Sequence, residues 1–148
     1  MDVFAGIRDS YFAAGLSDDE VRAVAAIAEL VPFSDMETVL EDDDTAESIY
    51  VLLSGKVEVT TMTGELIARL KTGELFGEIA LFEGGRRSAQ VIGQGEGHLA
   101  RISATSLNAL MDGRPEIGVV ILRNLGRTLC DRLRSSNIQL ESVLQGLG

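Results

Sequence analysis

The sequence predicts a mainly β fold with flanking helices: a sandwich or barrel of short strands, preceded by N-terminal helices and followed by one long C-terminal helix. Three observations carry this. Between residues 31 and 102, β-type runs recur at roughly the 8 to 12 residue step of all-β domains. Ahead of them, Ser17-Asp18-Asp19-Glu20 is a capping box in front of an apolar-periodic segment. Behind them, residues 115–145 contain only Gly118 and Gly126 as breakers after Pro115, enough for a helix of ~46 Å at the standard rise.

With 148 residues, 45% of them hydrophobic, the chain is one domain's worth and can bury a core. It divides into a helical lead-in (1–30), the β-sandwich (31–102) and C-terminal helices (103–148). A net charge of −10 disfavours direct nucleic-acid binding or an anionic membrane surface, since both need summed positive potential. An anionic ligand must therefore be held by a local site. One cysteine, Cys130, gives no disulfide within the chain, and one histidine, His98, disfavours histidine-rich metal sites. With no Ser-His or Cys-His set, no catalytic residue is assigned and the protein is not expected to be an enzyme. Neither a signal-type N-terminus nor an apolar run of about 18 residues is present, so a cytoplasmic location is expected.

Val3, Phe4, Ile7, Tyr11 and Phe12 fall at helical spacing and predict a leading helix over 3–14. The second helix is expected from Asp18 to just before Pro32. Strands are expected at Thr38–Leu40, Ser48–Leu53, Lys56–Thr61, Leu66–Leu70, Ser88–Ile92 and Leu99–Ile102, with Ser54-Gly55 and Thr63-Gly64 as tight turns. Glu41-Asp42-Asp43-Asp44 reads as a solvated acidic loop. It lacks the ligand spacing and turn glycine of a calcium loop, so no metal is expected. Thr105–Met111 is a brief helix. In the last helix Leu122, Leu125, Leu129, Leu133, Leu140, Val143 and Leu144 form one apolar stripe interrupted by Ser136. Cys130 lies beside it, where thiol packing is the commoner fate.

The functional signal is the segment 73–91, GELFGEIALFEGGRRSAQV. Glycines allow close backbone approach, a short helix after Gly77 would offer unpaired N–H groups, and an arginine can grip an anion with paired donors. Phe76, Ile79 and Leu81 are expected in the core. A buried Glu78 would need a hydroxyl or an arginine as partner.

The order F-G-E-I-A-L followed by R-S-A resembles the phosphate-binding cassette of the cyclic nucleotide-binding domain family, which includes catabolite activators and regulatory subunits of cyclic-nucleotide-dependent kinases. Most of the chain shares the likeness, including Ile49–Val57 and the long helix. The resemblance implies a double-stranded β-helix, jelly-roll-like, and a non-catalytic sensor of a 3',5'-cyclic nucleotide, cAMP ahead of cGMP, with no other cofactor. It places Arg87, Ser88 and Ala89 on the phosphate, Glu78 on the ribose 2'-hydroxyl, and Gly77, Ile79 and Ala80 in the backbone cradle. It also puts Ser136 and Asn137 against the purine, with Arg132 as a partner for Glu78 across the pocket. The long helix would form a homodimer and relay binding to an effector protein or fused domain. The chain departs from the family in the acidic stretch 42–46, where glycines are usual, and in ending before any helix-turn-helix. The alternative is a ligand-free structural or dimerisation module.

Overall fold

The computed structural model describes residues 1–40, 47–61, 63–82 and 89–147. The acidic run at 41–44 therefore lies outside the described residues. Helix α1 (Val3–Arg8) is followed by turns through Gly15, and α2 (Asp18–Ala25) by strand β1 (Ala28–Phe33). The leading helix is shorter than its apolar spacing predicts. Instead, Tyr11 N–H donates to Gly73 O at 3.0 Å, and the chain turns so that Phe12 is fully buried. The capping box forms as expected: Ser17 accepts from Glu20 N–H, and the Glu20 carboxylate accepts from Ser17 N–H. The end of α2 differs from expectation, because Ala28–Leu30 leave the helix to pair with Ala100–Ile102. Tertiary pairing has overridden helical propensity there.

The remaining elements are β2 (Thr38–Leu40), β3 (Ser48–Thr60), β4 (Leu66–Lys71), β5 (Leu75–Phe76), α3 (Ile79–Phe82), β6 (Gln90–Ser103), α4 (Ala104–Gly113) and α5 (Pro115–Leu147). Two long antiparallel strands, β3 and β6, form the spine. The half of β3 after Gly55 pairs with β4 and with residues 90–94 of β6, which in turn holds β2. The half before Ser54 pairs with β5 and with residues 98–103 of β6, which holds β1. The sheet thus folds over on itself as two four-stranded segments, a β-roll in which the expected jelly-roll-like sandwich with flanking helices is realised.

Two expected pairs of strands are therefore two continuous strands. Ser54-Gly55 is a bend rather than a hairpin turn, with register shifts on both sides of Ser54. Gly55 has φ +88°, and a Cβ there would lie 2.8 Å from the Glu96 carbonyl oxygen. Only glycine lets the two spine strands cross so closely. Beside the bend, Ser54 Oγ bonds His98 Nδ1 at 3.0 Å, which gives the lone histidine a structural role.

The core has two parts. Phe33, Tyr50, Leu52, Val57, Leu70, Phe76, Val91 and Leu99 fill the roll, where Tyr50 and Phe76 stack at 5.1 Å. Ile7, Phe12, Val21, Val24, Ile49, Val51, Ile102 and Leu107 join the sheet's other face to the helices, closed by Ile117, Ile121 and Leu125 of α5. Leu125 thus faces the core, whereas Leu122, Leu133, Leu140, Val143 and Leu144 are exposed. The one apolar stripe expected of this helix is two faces with different destinations. Cys130 is exposed rather than packed.

Candidate functional site

The cassette begins where β5 ends. Gly77 takes φ +80°, a left-handed geometry that costs a side-chain-bearing residue about 1 kcal/mol or more, and turns the chain from β5 into α3. That turn drives Glu78 inward, where it is 6% exposed. A buried carboxylate without a partner is strongly unfavourable. Here the Arg132 guanidinium of α5 supplies one: Nη1 donates to Glu78 Oε1, and Nη2 donates to the Leu75 carbonyl oxygen. One side chain therefore ties the long helix to both the cassette glutamate and the strand leading into it.

Ile79 and Ala80 open α3 as the short helix after Gly77, and Leu81 N–H closes it back on Glu78 O at 3.1 Å. Phe76 is buried and Leu81 packs on the core, as expected. Ala89 is half-buried just before β6. Arg86, Arg87 and Ser88 lie outside the described residues. Ser136 and Asn137 stand on α5, four and five positions beyond Arg132, and both are solvent-exposed. The structure thus brings Gly77, Glu78, Leu75 and Arg132 together and leaves Ser136 and Asn137 on the free stretch of the helix just past that junction.

Two features escaped the sequence reading. Leu75 contributes only its carbonyl, and no side chain marks a carbonyl that will be used. Asn124 is buried and donates from Nδ2 to the carbonyls of Phe12 and Ala14, both at 2.9 Å, fastening α5 to the N-terminal turn. Its place between Ile121 and Leu125 gives a polar interruption but no partner.

The family description "Cyclic nucleotide-binding domain" matches residues 30–114, more than half of the chain. The chain belongs to the cyclic nucleotide-binding domain family. Glutaminase 1 of Bradyrhizobium diazoefficiens is 32% identical over 127 residues, covering 86% of this chain and 21% of that protein. The cyclic AMP receptor protein of Thermus thermophilus is 28% identical over 131 residues, covering 86% of this chain and 59% of its own length. The chain therefore spans between about a fifth and three fifths of these curated relatives. In fold, a cyclic nucleotide-binding domain from Methylobacillus flagellatus superposes with a TM-score of 0.84 at 24% identity, over 92% of this chain and 81% of that one. The family resemblance inferred from the cassette holds, as does the roll with its long C-terminal helix. Among the described residues of this cyclic nucleotide-binding domain, no helix is long and apolar enough to cross a membrane, and no group of three or more His, Cys, Asp or Glu is placed to hold a metal.

Proposed function

We propose that this domain is a non-catalytic cytoplasmic sensor that binds a 3',5'-cyclic nucleotide, cAMP in preference to cGMP, and relays binding through α5. The observation that carries the reading is the buried Glu78 held by Arg132. A carboxylate fixed at the mouth of the cassette accepts a hydrogen bond from a ribose 2'-hydroxyl, and its tether reaches the helix that would carry the signal. Arg87 and Ser88 then take the cyclic phosphate, with Gly77, Ala89 and the N–H groups of Ile79 and Ala80 completing the cradle. Ser136 and Asn137 face the base once the helix settles over it. The name of the Thermus thermophilus relative supports cAMP as the first ligand to test.

Calorimetric titration with cAMP, cGMP and cyclic di-GMP tests this. Saturable binding of cAMP is expected, weaker binding of 2'-deoxy-cAMP, and a loss of about 10- to 150-fold or more in Arg87→Ala, the worth of one charge-assisted bond. Unchanged affinity in Arg87→Ala sinks the assignment of the cassette.

The exposed face of α5 supports a homodimer. Val119, Leu122, Gly126, Leu129, Leu133, Ser136, Leu140 and Val143 recur at alternating spacings of three and four, the seam of a two-stranded coiled coil. Leu133 is 63% exposed and Val143 60%, and nothing lies within 4 Å of a Cβ built on Gly126. An identical helix satisfies such a seam in register. The output is an effector protein or an attached domain, and no cofactor beyond the nucleotide is required. Should no nucleotide bind, the same seam favours a dimerisation module that kept the fold.

A further inference from the structure

We propose that the cleft on the outer side of α5 is a second binding site, for a small multiply charged anion, separated from the cassette by Arg132. The cleft has a volume of about 390 Å³, within the range of small-molecule sites. Its walls are the turn at Tyr11, the segment Lys71–Leu75, and the α5 face carrying Asn124, Arg127 and Thr128. None of Gly77, Glu78, Ser136 or Asn137 lines it, and its α5 residues lie off the seam, so pairing through the seam leaves it open.

The walls are held in place without a ligand. Tyr11 N–H is bonded to Gly73 O, and Asn124 fastens the turn to the helix. Charge also bears on the cleft. Among the described residues Arg22, Lys56, Lys71, Arg123 and Arg127 form no ion pair with a carboxylate, and two of these, Lys71 and Arg127, line the cleft together. In a chain of net charge −10, two cations without an ion-pair partner line one cleft. Of the two carboxylates in the lining, Asp131 pairs with Arg134 at 3.2 Å, while Glu74 accepts from the Lys71 backbone N–H at 2.8 Å, which fixes its position and leaves its charge. A phosphate or polycarboxylate would take its charge from Lys71 and Arg127 and a hydrogen bond from the Thr128 hydroxyl, with its body against the exposed Tyr11 ring.

Arg132 lines this cleft and also bonds Glu78. An anion that draws on its guanidinium competes with Glu78, so occupancy alters the cassette. This coupling, unlike the site itself, rests on the nucleotide reading above. Linkage requires each ligand to change the other's affinity by the same factor, typically about 5- to 150-fold.

Amide chemical-shift titrations with sodium pyrophosphate and sodium citrate, at constant ionic strength set by sodium chloride, test the site. They are run on the Arg87→Ala chain so that the cassette cannot supply the anion grip. Saturable shifts centred on Tyr11, Lys71–Leu75 and Asn124–Thr128 are expected, and a loss of at least about 10-fold in affinity when Lys71→Ala and Arg127→Ala are added. Saturation by pyrophosphate alone assigns a phosphate ligand, and by citrate alone a polycarboxylate. Linear shifts, or shifts unaffected by those two substitutions, overturn the site. Cyclic nucleotide shifts would instead centre on Gly77–Ala80, so failure of either reading is seen separately. In the unsubstituted chain, an unchanged cAMP affinity at saturating anion overturns the coupling.

Discussion

The contact between Arg132 and Glu78 bears on stability and, in the proposed sensor, on signalling. Glu78 is 7% exposed at its side chain and Arg132 36%, so the pair is half desolvated rather than fully buried. Removing one partner of a fully buried pair costs about 3 to 5 kcal/mol, and an exposed pair is worth under about 1 kcal/mol. Arg132→Ala is therefore expected to destabilise by about 1 to 3 kcal/mol in urea unfolding. The cost should shrink in a Glu78→Gln background, where no charge is stranded; an equal cost in both backgrounds would place the effect elsewhere. Asn124 makes a second residue-scale case. Asn124→Ala leaves the buried carbonyl of Phe12 without its donor and removes the half-buried bond to the Ala14 carbonyl, and a loss of about 1 to 3 kcal/mol is expected by the same measurement. Glu78 was legible in the sequence because its motif demanded a partner. Asn124 was not, because its partners lie more than a hundred positions away along the chain.

Among the elements, α5 carries the most consequence. Its first turn starts at Pro115 with Glu116, whose carboxyl is held below the ordinary range by its own backbone N–H and then by the Arg114 guanidinium. Ile117, Ile121 and Leu125 anchor this half in the core, while residues 133–146 are exposed throughout. A helix continuing so far without tertiary cover needs a partner to persist, since propensity alone stabilises an isolated segment of this length only marginally. Leu133→Glu with Leu140→Glu is expected to convert a dimer to monomer by sedimentation while leaving the roll folded. A dimer that survives both changes would exclude this seam. The helix itself was legible from its lack of breakers. The division of its leucines into a core face and a free face was not, because spacings of three and four describe both faces of a helix that touches a barrel at one end only.

At the scale of the whole molecule, Arg132 joins the Leu75–Glu78 segment of the roll to α5, so a ligand that binds there is expected to act on both. Binding to the folded state alone stabilises it by ~2.7 kcal/mol at 100 times the dissociation constant. A rise in unfolding temperature with cAMP and a smaller rise with cGMP are expected in a thermal scan. No rise with any cyclic nucleotide would favour the ligand-free module.

The sequence by itself determined the family, through the order of residues in 73–91, and the succession of helices, strands and long helix, through capping, alternation and the absence of breakers. These are local properties, written within a dozen residues of where they act. Tertiary structure alone decided that β3 and β6 run unbroken through Gly55 and Gly97, that Ala28–Leu30 become strand, and that Arg132 reaches both Glu78 and the Leu75 carbonyl. Each of those depends on which distant backbone or side chain is brought alongside, and a linear pattern does not encode that proximity.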